Sequence, residues 1–230
     1  MPRPPKIEAP RHPDLSAENE LWQHGLRFLA GLDEAGRGAW AGPVAAGAVI
    51  LPPDPDLLAR LSGVRDSKQM SARQREYWAG EIKACAVAWG VGMCSAAEID
   101  QWGILPATRT AMQRALNACA QPGEHLLIDA LRLPKISLPQ TVLVKGDARC
   151  LSIAAASVLA KTARDAWMCA LDAQFPQYHF AAHKGYGTAA HQRALSACGP
   201  CPQHRFSFRP VRLAQETWLD PLASGSPELG

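Results

Sequence analysis

Four acidic residues stand where apolar, strand-like segments of the sequence end. Asp33 and Glu34 close the first such segment, Asp129 closes the run HLLIDA, and Asp147 follows the run TVLVKG. If the three strands are neighbours in one sheet, their carboxylates converge at one edge of that sheet. Carboxylates held close together repel one another, and they stay ionised when divalent cations lie between them. The pattern therefore predicts one site built from these four side chains.

The chemistry of such a site follows from its ligand atoms. Oxygen ligands suit Mg²⁺ or Mn²⁺ better than Zn²⁺, which prefers nitrogen and sulfur. Two such ions roughly 3.5–4 Å apart activate a water for in-line attack on a phosphodiester and stabilise the leaving oxygen. The alternative is that each acid is only a turn former or a strand-end cap. Four acids in this pattern, beside Gly-rich and basic segments, favour the metal-dependent chemistry.

The net charge of +3 is unevenly distributed along the chain. Residues 131–212 contain eleven Lys or Arg but only three Asp or Glu. A basic block of this kind is expected of a protein that binds a polyanion, and a solvated surface without a partner explains it equally well. The candidate phosphate contacts in this block are Lys145, Lys161, Arg164 and Lys184.

The elements that must position these residues follow from the hydrophobic pattern. Five strands are predicted, the first starting near residue 26 and the others over residues 44–51, 87–94, 125–130 and 141–144. Helices are predicted over residues 71–86, 95–120, 150–175 and 188–198. Pro106 should begin a new helix or kink the second of these. This layout predicts an α/β or α+β domain with one central mixed sheet.

The length of 230 residues suits one compact domain with tails. Residues 1–26 are predicted to be a flexible, Pro-rich extension, residues 27–213 the catalytic domain, and residues 214–230 a tail. No segment has the pattern of a signal peptide or a membrane span. Seven cysteines, an odd number, favour free thiols in a reducing compartment over a disulfide framework. We therefore expect a cytoplasmic protein that is monomeric and not bound to a membrane.

The sequence Cys198-Gly-Pro-Cys201 imitates the thioredoxin redox motif. In thioredoxins the motif follows a strand and opens a helix, whereas here it follows a predicted helix and leads into Pro202. A zinc site that also uses His204 lacks a clear fourth ligand. The prediction is therefore a plain loop.

Several motifs, in order along the chain, resemble those of the ribonuclease HII family. They are GLDEAGRGAWAGPVAAGAVIL (31–51), RDSKQMSARQRE (65–76), WGVGMCSAAEIDQWGILPATRTAMQRAL (89–116), LVKGDARCLSIAAASVLAKTARDAWM (143–168), HKGYGTAAH (183–191) and HRFSFRPV (204–211). The resemblance runs from about residue 26 to residue 212. It implies a ribonuclease H-like fold: a mixed five-stranded sheet flanked by helices, with a C-terminal helical segment.

The same resemblance implies an endonuclease that hydrolyses the RNA strand of RNA–DNA hybrids. It also implies nicking on the 5′ side of ribonucleotides embedded in duplex DNA, by two-metal-ion catalysis that leaves 3′-hydroxyl and 5′-phosphate ends. The four acids take the family's catalytic and metal-binding positions. Gly36, Arg37 and Gly38 take its ribonucleotide-sensing loop, and Tyr186 takes the tyrosine that packs against the sugar next to the ribonucleotide.

The residue types fit these implied roles. Glycines let backbone groups approach a sugar closely enough to sense the 2′-hydroxyl. Arg37 can bind a phosphate, and Tyr186 offers a flat apolar face. The alternatives are an ordinary tight turn at Gly36 and Gly38, a surface salt bridge for Arg37 and a half-buried core position for Tyr186.

The sequence departs from the family pattern at two places. Ala130-Leu131 stands where bacterial relatives usually have Gly-Asn, and Ala39-Trp40 replaces a frequent Pro-Leu. Neither change removes a carboxylate. Two rival hypotheses remain: a nucleic-acid-binding protein that has lost catalysis, and a nuclease of the ribonuclease HIII type. The HIII type carries an added N-terminal domain, for which the roughly 26 residues before the first strand are too few.

Overall fold

The fold is built around one mixed five-stranded sheet. The computed structural model describes residues 12–219. Its strands are β1 (Leu29–Ala35), β2 (Val44–Ile50), β3 (Ala88–Cys94), β4 (His125–Asp129) and β5 (Gln140–Leu143). They lie in the order β3-β2-β1-β4-β5, with β1–β4 and β4–β5 parallel and β1–β2 and β2–β3 antiparallel. The predicted central mixed sheet flanked by helices is confirmed.

The helices connect and cover this sheet. Within the described residues they are α1 (Ser16–Gln23), α2 (Leu57–Arg60), α3 (Ala72–Cys85), α4 (Ala96–Trp102), α5 (Ile104–Asn117), α6 (Leu151–Gln174), α7 (Phe180–His183), α8 (Ala189–Cys198) and α9 (Arg209–Leu219). The predicted break in the second long helix falls at Gly103, whose φ of 82° ends α4 three residues before Pro106. None of the described helices is long and apolar enough to cross a membrane.

Helices α5 and α6 cover opposite faces of the sheet. On one face Leu32 and Ile128 pack in a buried cluster with Met112 of α5. On the other face Leu29 and Leu127 pack with Ile153 of α6. Because side chains alternate between the two faces of a strand, Asp33 lies on the same face as Leu29, beneath α6.

Two glycines allow α6 to lie directly on the strands. A Cβ built on Gly31 would come within 2.3 Å of the Ser152 carbonyl carbon, and one on Gly47 within 2.3 Å of the Ala156 carbonyl oxygen. Any larger residue at these positions forces the helix away from the sheet. The close approach brings the polar residues of α6 over the end of β1.

We expect Gly47→Ala to destabilise the protein by about 2 kcal/mol, because the added methyl group meets backbone that cannot move alone. The matched control is Gly80→Ala on the exposed side of α3, where no heavy atom of residues 12–219 lies within 4 Å of the built Cβ. That change should stabilise the helix by about 0.5–1 kcal/mol. Urea unfolding of both variants tests the pair, and equal effects on stability would contradict the close packing.

The chain ends of the domain differ from the prediction. Residues 12–26 are not an irregular extension, because α1 packs on the domain and Glu18 is fully buried. Its Oε1 accepts hydrogen bonds from the Ser152 N–H at 2.8 Å and the Cys150 thiol at 3.1 Å, so it caps the start of α6. At the other end, α9 continues to Leu219, beyond the predicted boundary at 213. The predicted extension over 1–11 and tail over 220–230 lie outside the described residues.

Candidate active site

The sheet brings the predicted acids to one edge. The parallel register pairs Leu32 of β1 with Ile128 of β4, so the next residues, Asp33 and Asp129, lie side by side. Glu34 is the following residue of β1. Asp147 lies in a 3₁₀ turn after β5, and this turn is tied to β4 because the Gly146 N–H donates to Asp129 Oδ1 at 2.7 Å. The four carboxylates therefore lie at one end of the sheet.

A cleft of about 820 Å³ opens at this edge. Its walls contain three of the acids together with most of the predicted substrate-contact residues. The predicted residues that line it are Asp33, Glu34, Asp129, Gly36, Arg37, Gly38, Lys161, Lys184 and Tyr186. Asp147 is not among the lining residues. It lies behind Lys68, whose Nζ is 3.5 Å from Asp147 Oδ2.

Negative charge accumulates in the cleft, and Arg37 and Lys68 balance only part of it. Burial raises the pKa of Asp33 well above its usual value, and the charges of Glu34 and Asp129 raise it further. Burial also raises the pKa of Glu34 and of Asp147. Within residues 12–219, no donor reaches the buried Asp33 Oδ2 or Glu34 Oε2. Two buried carboxylate oxygens without a partner are expected where a cation binds.

The donor set fits a hard divalent cation, since it consists of carboxylate oxygens, two of which are unpartnered and buried. The four carboxylates do not, however, form a closed metal site in the described chain. No group of three or more His, Cys, Asp or Glu within residues 12–219 closes into a compact metal cluster. Asp147 faces Lys68, and one oxygen of Asp129 is already bonded to Gly146. Asp33 and Glu34 therefore offer the carboxylate oxygens of the cleft that have no partner in the described chain.

Lys68 was not predicted as a site residue, although it lies in the motif RDSKQM. Its Nζ stands 3.5 Å from Asp147 and 3.8 Å from Asp66. Partial burial lowers its pKa, but the charges of Asp66, Asp147 and Asp33 outweigh this and raise it. Lys68 is the cation that balances part of the acidic edge. Its position in the RDSKQM motif is the feature of the sequence that could have identified it as a site residue.

Ser157 of α6 was also missed as a site residue. Its hydroxyl lies near the buried Asp33 carboxylate and lowers the pKa of that acid, against the larger effect of burial. A second contact joins the Ser157 and Ser67 hydroxyl oxygens at 2.7 Å. The two serines therefore form a polar contact beside Asp33 on the side of α6. A serine within a predicted helix gave no sign of this contact in the sequence.

The loop of Gly36, Arg37 and Gly38 forms one wall of the cleft. Gly36 has φ +93°, and a Cβ there would lie 2.0 Å from Arg164 Nε, so only glycine fits. At Gly38 no heavy atom of the described chain lies within 4 Å of the built Cβ. Arg37 is 41% exposed and donates to Glu34 Oε1 at 3.0 Å. The loop thus presents an open backbone next to the acidic edge.

Arg164 does not face the cleft. Its fully buried guanidinium donates to the carbonyl oxygens of Pro43 at 2.8 Å, Lys184 at 2.9 Å and Ala41 at 3.1 Å. The prediction of a phosphate contact is therefore wrong. The reason is that the 183–187 segment and the 36–43 loop cover this side of α6. Arg164 instead donates hydrogen bonds to both segments and so holds them together.

The other predicted phosphate contacts are lysines with different surroundings. Lys161 Nζ is 2.7 Å from Asp165 Oδ1, and Asp165 also binds Arg75 at 2.9 Å. Lys184 lines the cleft with its ammonium group bonded to the Ala181 carbonyl. Lys145 is exposed in the turn before Asp147 and does not line the cleft. The cleft therefore offers two of the three lysines to a ligand directly.

Tyr186 is half-buried and lines the same cleft as the acids. Its ring centroid is 5.3 Å from the Arg164 guanidinium carbon and 5.4 Å from Lys161 Nζ. Both cations are within the range of cation–π attraction, so the ring is held in a fixed orientation. The aromatic ring is thereby fixed at the cleft.

The unusual Ala130 adopts a left-handed conformation with φ 51° directly after Asp129. Such backbone costs a residue with a Cβ about 1 kcal/mol, and glycine adopts it freely. We expect Ala130→Gly to raise the free energy of unfolding by about 0.5–1 kcal/mol. Thermal unfolding tests this, with Gly80→Ala as the reference for an unstrained exchange. A destabilised Ala130→Gly variant would show that the turn carries no strain.

Comparison with known proteins decides the family. The family model of ribonuclease HII matches residues 30–211. Ribonuclease HII of Chloroflexus aurantiacus is 56% identical over 203 residues, covering 86% of this chain and 94% of its own. That of Geobacillus kaustophilus is 55% identical over 195 residues, covering 85% of this chain and 73% of its own. The chain belongs to the ribonuclease HII family. It is a ribonuclease H enzyme, and the HIII alternative is excluded.

Solved structures agree on the fold. Ribonuclease H2 from Pyrococcus horikoshii OT3 is similar with a TM-score of 0.70 and 23% identity, covering 83% of this chain and 98% of its own. The ribonuclease HII in a complex with PCNA from Archaeoglobus fulgidus gives a TM-score of 0.68 and 25% identity, covering 84% and 99%. The ribonuclease H-like fold expected from the sequence is therefore confirmed.

Proposed function

We propose that this ribonuclease HII nicks duplex DNA on the 5′ side of embedded ribonucleotides, in addition to hydrolysing the RNA of RNA–DNA hybrids. The observation that carries the proposal is the composition of the cleft. Three carboxylates, the Gly36–Gly38 backbone and the Tyr186 ring line the same cleft. A nuclease that selects single ribonucleotides needs this combination, because it must sense one 2′-hydroxyl and hold the adjoining deoxyribose.

Asp33, Glu34, Asp129 and Asp147 would hold Mg²⁺ or Mn²⁺. When bound at carboxylates of this kind, two such ions supply an activated water and stabilise the leaving oxygen. The unpartnered oxygens of Asp33 and Glu34 support this assignment. Lys68 would keep Asp147 oriented until the substrate and the metal arrive, because the two side chains are already paired.

The rest of the cleft would bind the nucleic acid strand. Backbone groups of Gly36 and Gly38 approach the ribose, and Arg37 contacts a phosphate when it exchanges its bond to Glu34 for the substrate. Tyr186 packs on the following sugar. Lys161 and Lys184 contribute positive charge beside the strand, as cleft-lining cations do in nucleic-acid sites.

The decisive test uses an end-labelled DNA duplex with one internal ribonucleotide, incubated with the protein and Mg²⁺ or Mn²⁺, with and without EDTA. We expect a single metal-dependent nick on the 5′ side of the ribonucleotide, with 3′-hydroxyl and 5′-phosphate ends, and no cleavage of an all-DNA duplex. A 2′,3′-cyclic phosphate product would contradict the proposed attack. Tight binding without cleavage of either this duplex or a long hybrid would favour a catalytically silent binder.

We also propose that the enzyme works as a monomer in the cytoplasm. All seven cysteines, which lie within the described residues, are free thiols, in keeping with a reducing compartment. Light scattering at micromolar concentration should give the mass of one chain. A dimer mass would contradict the first part of this proposal, and secretion of the native protein would contradict the second.

A further inference from the structure

Two adjacent buried residues connect the Gly36–Gly38 loop with the segment that carries Tyr186. His204 and Arg205 are both fully buried. His204 forms an isolated antiparallel bridge with Ala41, and the Arg205 N–H donates to the Trp40 carbonyl at 2.8 Å. The chain therefore runs alongside the end of the loop, and the two side chains extend from it in different directions.

Arg205 binds the loop side. Its Nη1 donates to the Arg37 carbonyl, its Nε to the Gly42 carbonyl and its Nη2 to the Pro43 carbonyl, each at 3.0 Å. In the described part of the chain no carboxylate lies within salt-bridge distance of this guanidinium, and burial lowers its pKa to about 9. Burying a cation that is bonded only to carbonyl oxygens costs folding free energy. We therefore attribute the role of Arg205 to the geometry of its three hydrogen bonds.

His204 reaches the other side through His191. A carbonyl oxygen can only accept, so His191 Nδ1 donates to the Tyr186 carbonyl at 3.0 Å. His191 Nε2 must then accept from His204 Nε2–H at 2.9 Å, and His204 Nδ1 accepts from the Cys201 N–H at 3.0 Å. Burial lowers the pKa of His191 to about 4 and of His204 to about 3, so both rings are neutral and this order of bonds is fixed.

The two segments also touch each other directly. The N–H groups of Trp40 and Ala41 donate to the Gly185 carbonyl at 2.8 and 3.3 Å. The Trp40 ring lies against Gly187, where a Cβ would come within 2.1 Å of it. The loop and the tyrosine segment therefore form one rigid unit, and the His204-Arg205 pair supports it from the interior.

We propose that His204 and Arg205 are positioning residues that fix the distance between the Gly36–Gly38 backbone and the Tyr186 ring, and thereby determine selectivity for single embedded ribonucleotides. Neither residue touches substrate. The inference rests on the proposed roles of the loop and of Tyr186. An embedded ribonucleotide must satisfy both contacts at once, one on its ribose and one on the next deoxyribose. A long hybrid offers many overlapping sites and needs the spacing less.

The test compares kcat/KM on a duplex with one ribonucleotide and on a long RNA–DNA hybrid, below the melting temperature of every variant. Arg205→Lys keeps the charge but cannot reach three carbonyls. His204→Ala removes the donor to His191, and His204→Gln restores a donor at the position of Nε2. We expect the ratio of embedded to hybrid activity to fall about tenfold in Arg205→Lys and His204→Ala, because small displacements of positioning groups cost this much or more. His204→Gln should recover most of the ratio.

The matched control is Gln140→Ala at the far end of β5. Gln140 also makes three side-chain bonds to backbone, with the N–H and carbonyl of Leu133 and the carbonyl of Ile136. The Gln140→Ala variant should have a lower melting temperature and an unchanged ratio of embedded to hybrid activity. If the positioning variants also leave the ratio of embedded to hybrid activity unchanged, the inference is overturned. If Arg205→Lys does not fold, the two His204 variants decide. Failure of the wild-type protein to cut the embedded ribonucleotide would instead overturn the proposed function.

Discussion

Asp33→Asn should reduce kcat on both the long hybrid and the single-ribonucleotide duplex by about 10³-fold or more, the scale expected when a charge-stabilising group is lost. Asparagine has nearly the same shape and still presents an oxygen near the Ser157 hydroxyl. It removes the negative charge at the centre of the acidic edge, beside Glu34 and Asp129. Single-turnover cleavage under saturating Mg²⁺ measures the effect, and Asp129→Asn should behave in the same way.

The control for this prediction is Asp54→Asn. Asp54 is a carboxylate that pairs with Arg60 at 3.1 Å and does not line the cleft. Its replacement should leave both activities unchanged. Near-wild-type rates in Asp33→Asn or Asp129→Asn would mean that the catalytic site lies elsewhere.

Thermal unfolding separates the loss of chemistry from the loss of structure. Without metal, Asp33→Asn should melt at the same temperature as the wild type or higher, because a buried carboxylate surrounded by like charges destabilises the folded state. Adding Mg²⁺ or Mn²⁺ should raise the melting temperature of the wild type and have a smaller effect on the variant. A large loss of stability in the metal-free variant would contradict this view of the site.

The sheet and its acids were predictable because their signals are local. Short apolar runs bounded by turns define the strands, and a carboxylate at the end of each run places Asp33, Asp129 and Asp147 at strand ends without knowledge of the strand order. The register that sets Asp33 beside Asp129 depends on the parallel pairing of two strands about 96 residues apart. The sequence suggested that pairing only through the family resemblance.

The residues that support the site were not predictable in this way. The sequence places Arg164 in a predicted helix and a basic block, but it cannot reveal that the distant carbonyls of Ala41, Pro43 and Lys184 surround its guanidinium. Glu18 caps a helix that begins more than 130 residues later. Contacts of this kind join residues that are distant in the sequence. The sequence alone therefore does not distinguish a buried charged residue from a solvated one.

Tyr186→Ala is expected to lower kcat/KM on the single-ribonucleotide duplex by up to about a hundredfold, since packing of an aromatic ring on a nucleotide contributes roughly 1–3 kcal/mol. The effect on a long hybrid should be several-fold smaller, because the next sugar there is a ribose and many cleavage sites compete. Tyr186→Phe keeps the ring near Arg164 and Lys161 and should retain most of the activity.

The control for a general effect of removing a tyrosine is Tyr77→Ala on α3, whose side chain is 60% exposed and outside the cleft. It should alter neither activity. An unchanged rate of Tyr186→Ala on the embedded ribonucleotide would remove this residue from the recognition site. It would also remove the basis for the positioning role of His204, because the hydrogen bonds through His191 end at Tyr186. The experiment therefore tests the Tyr186 contact independently of the metal-binding carboxylates.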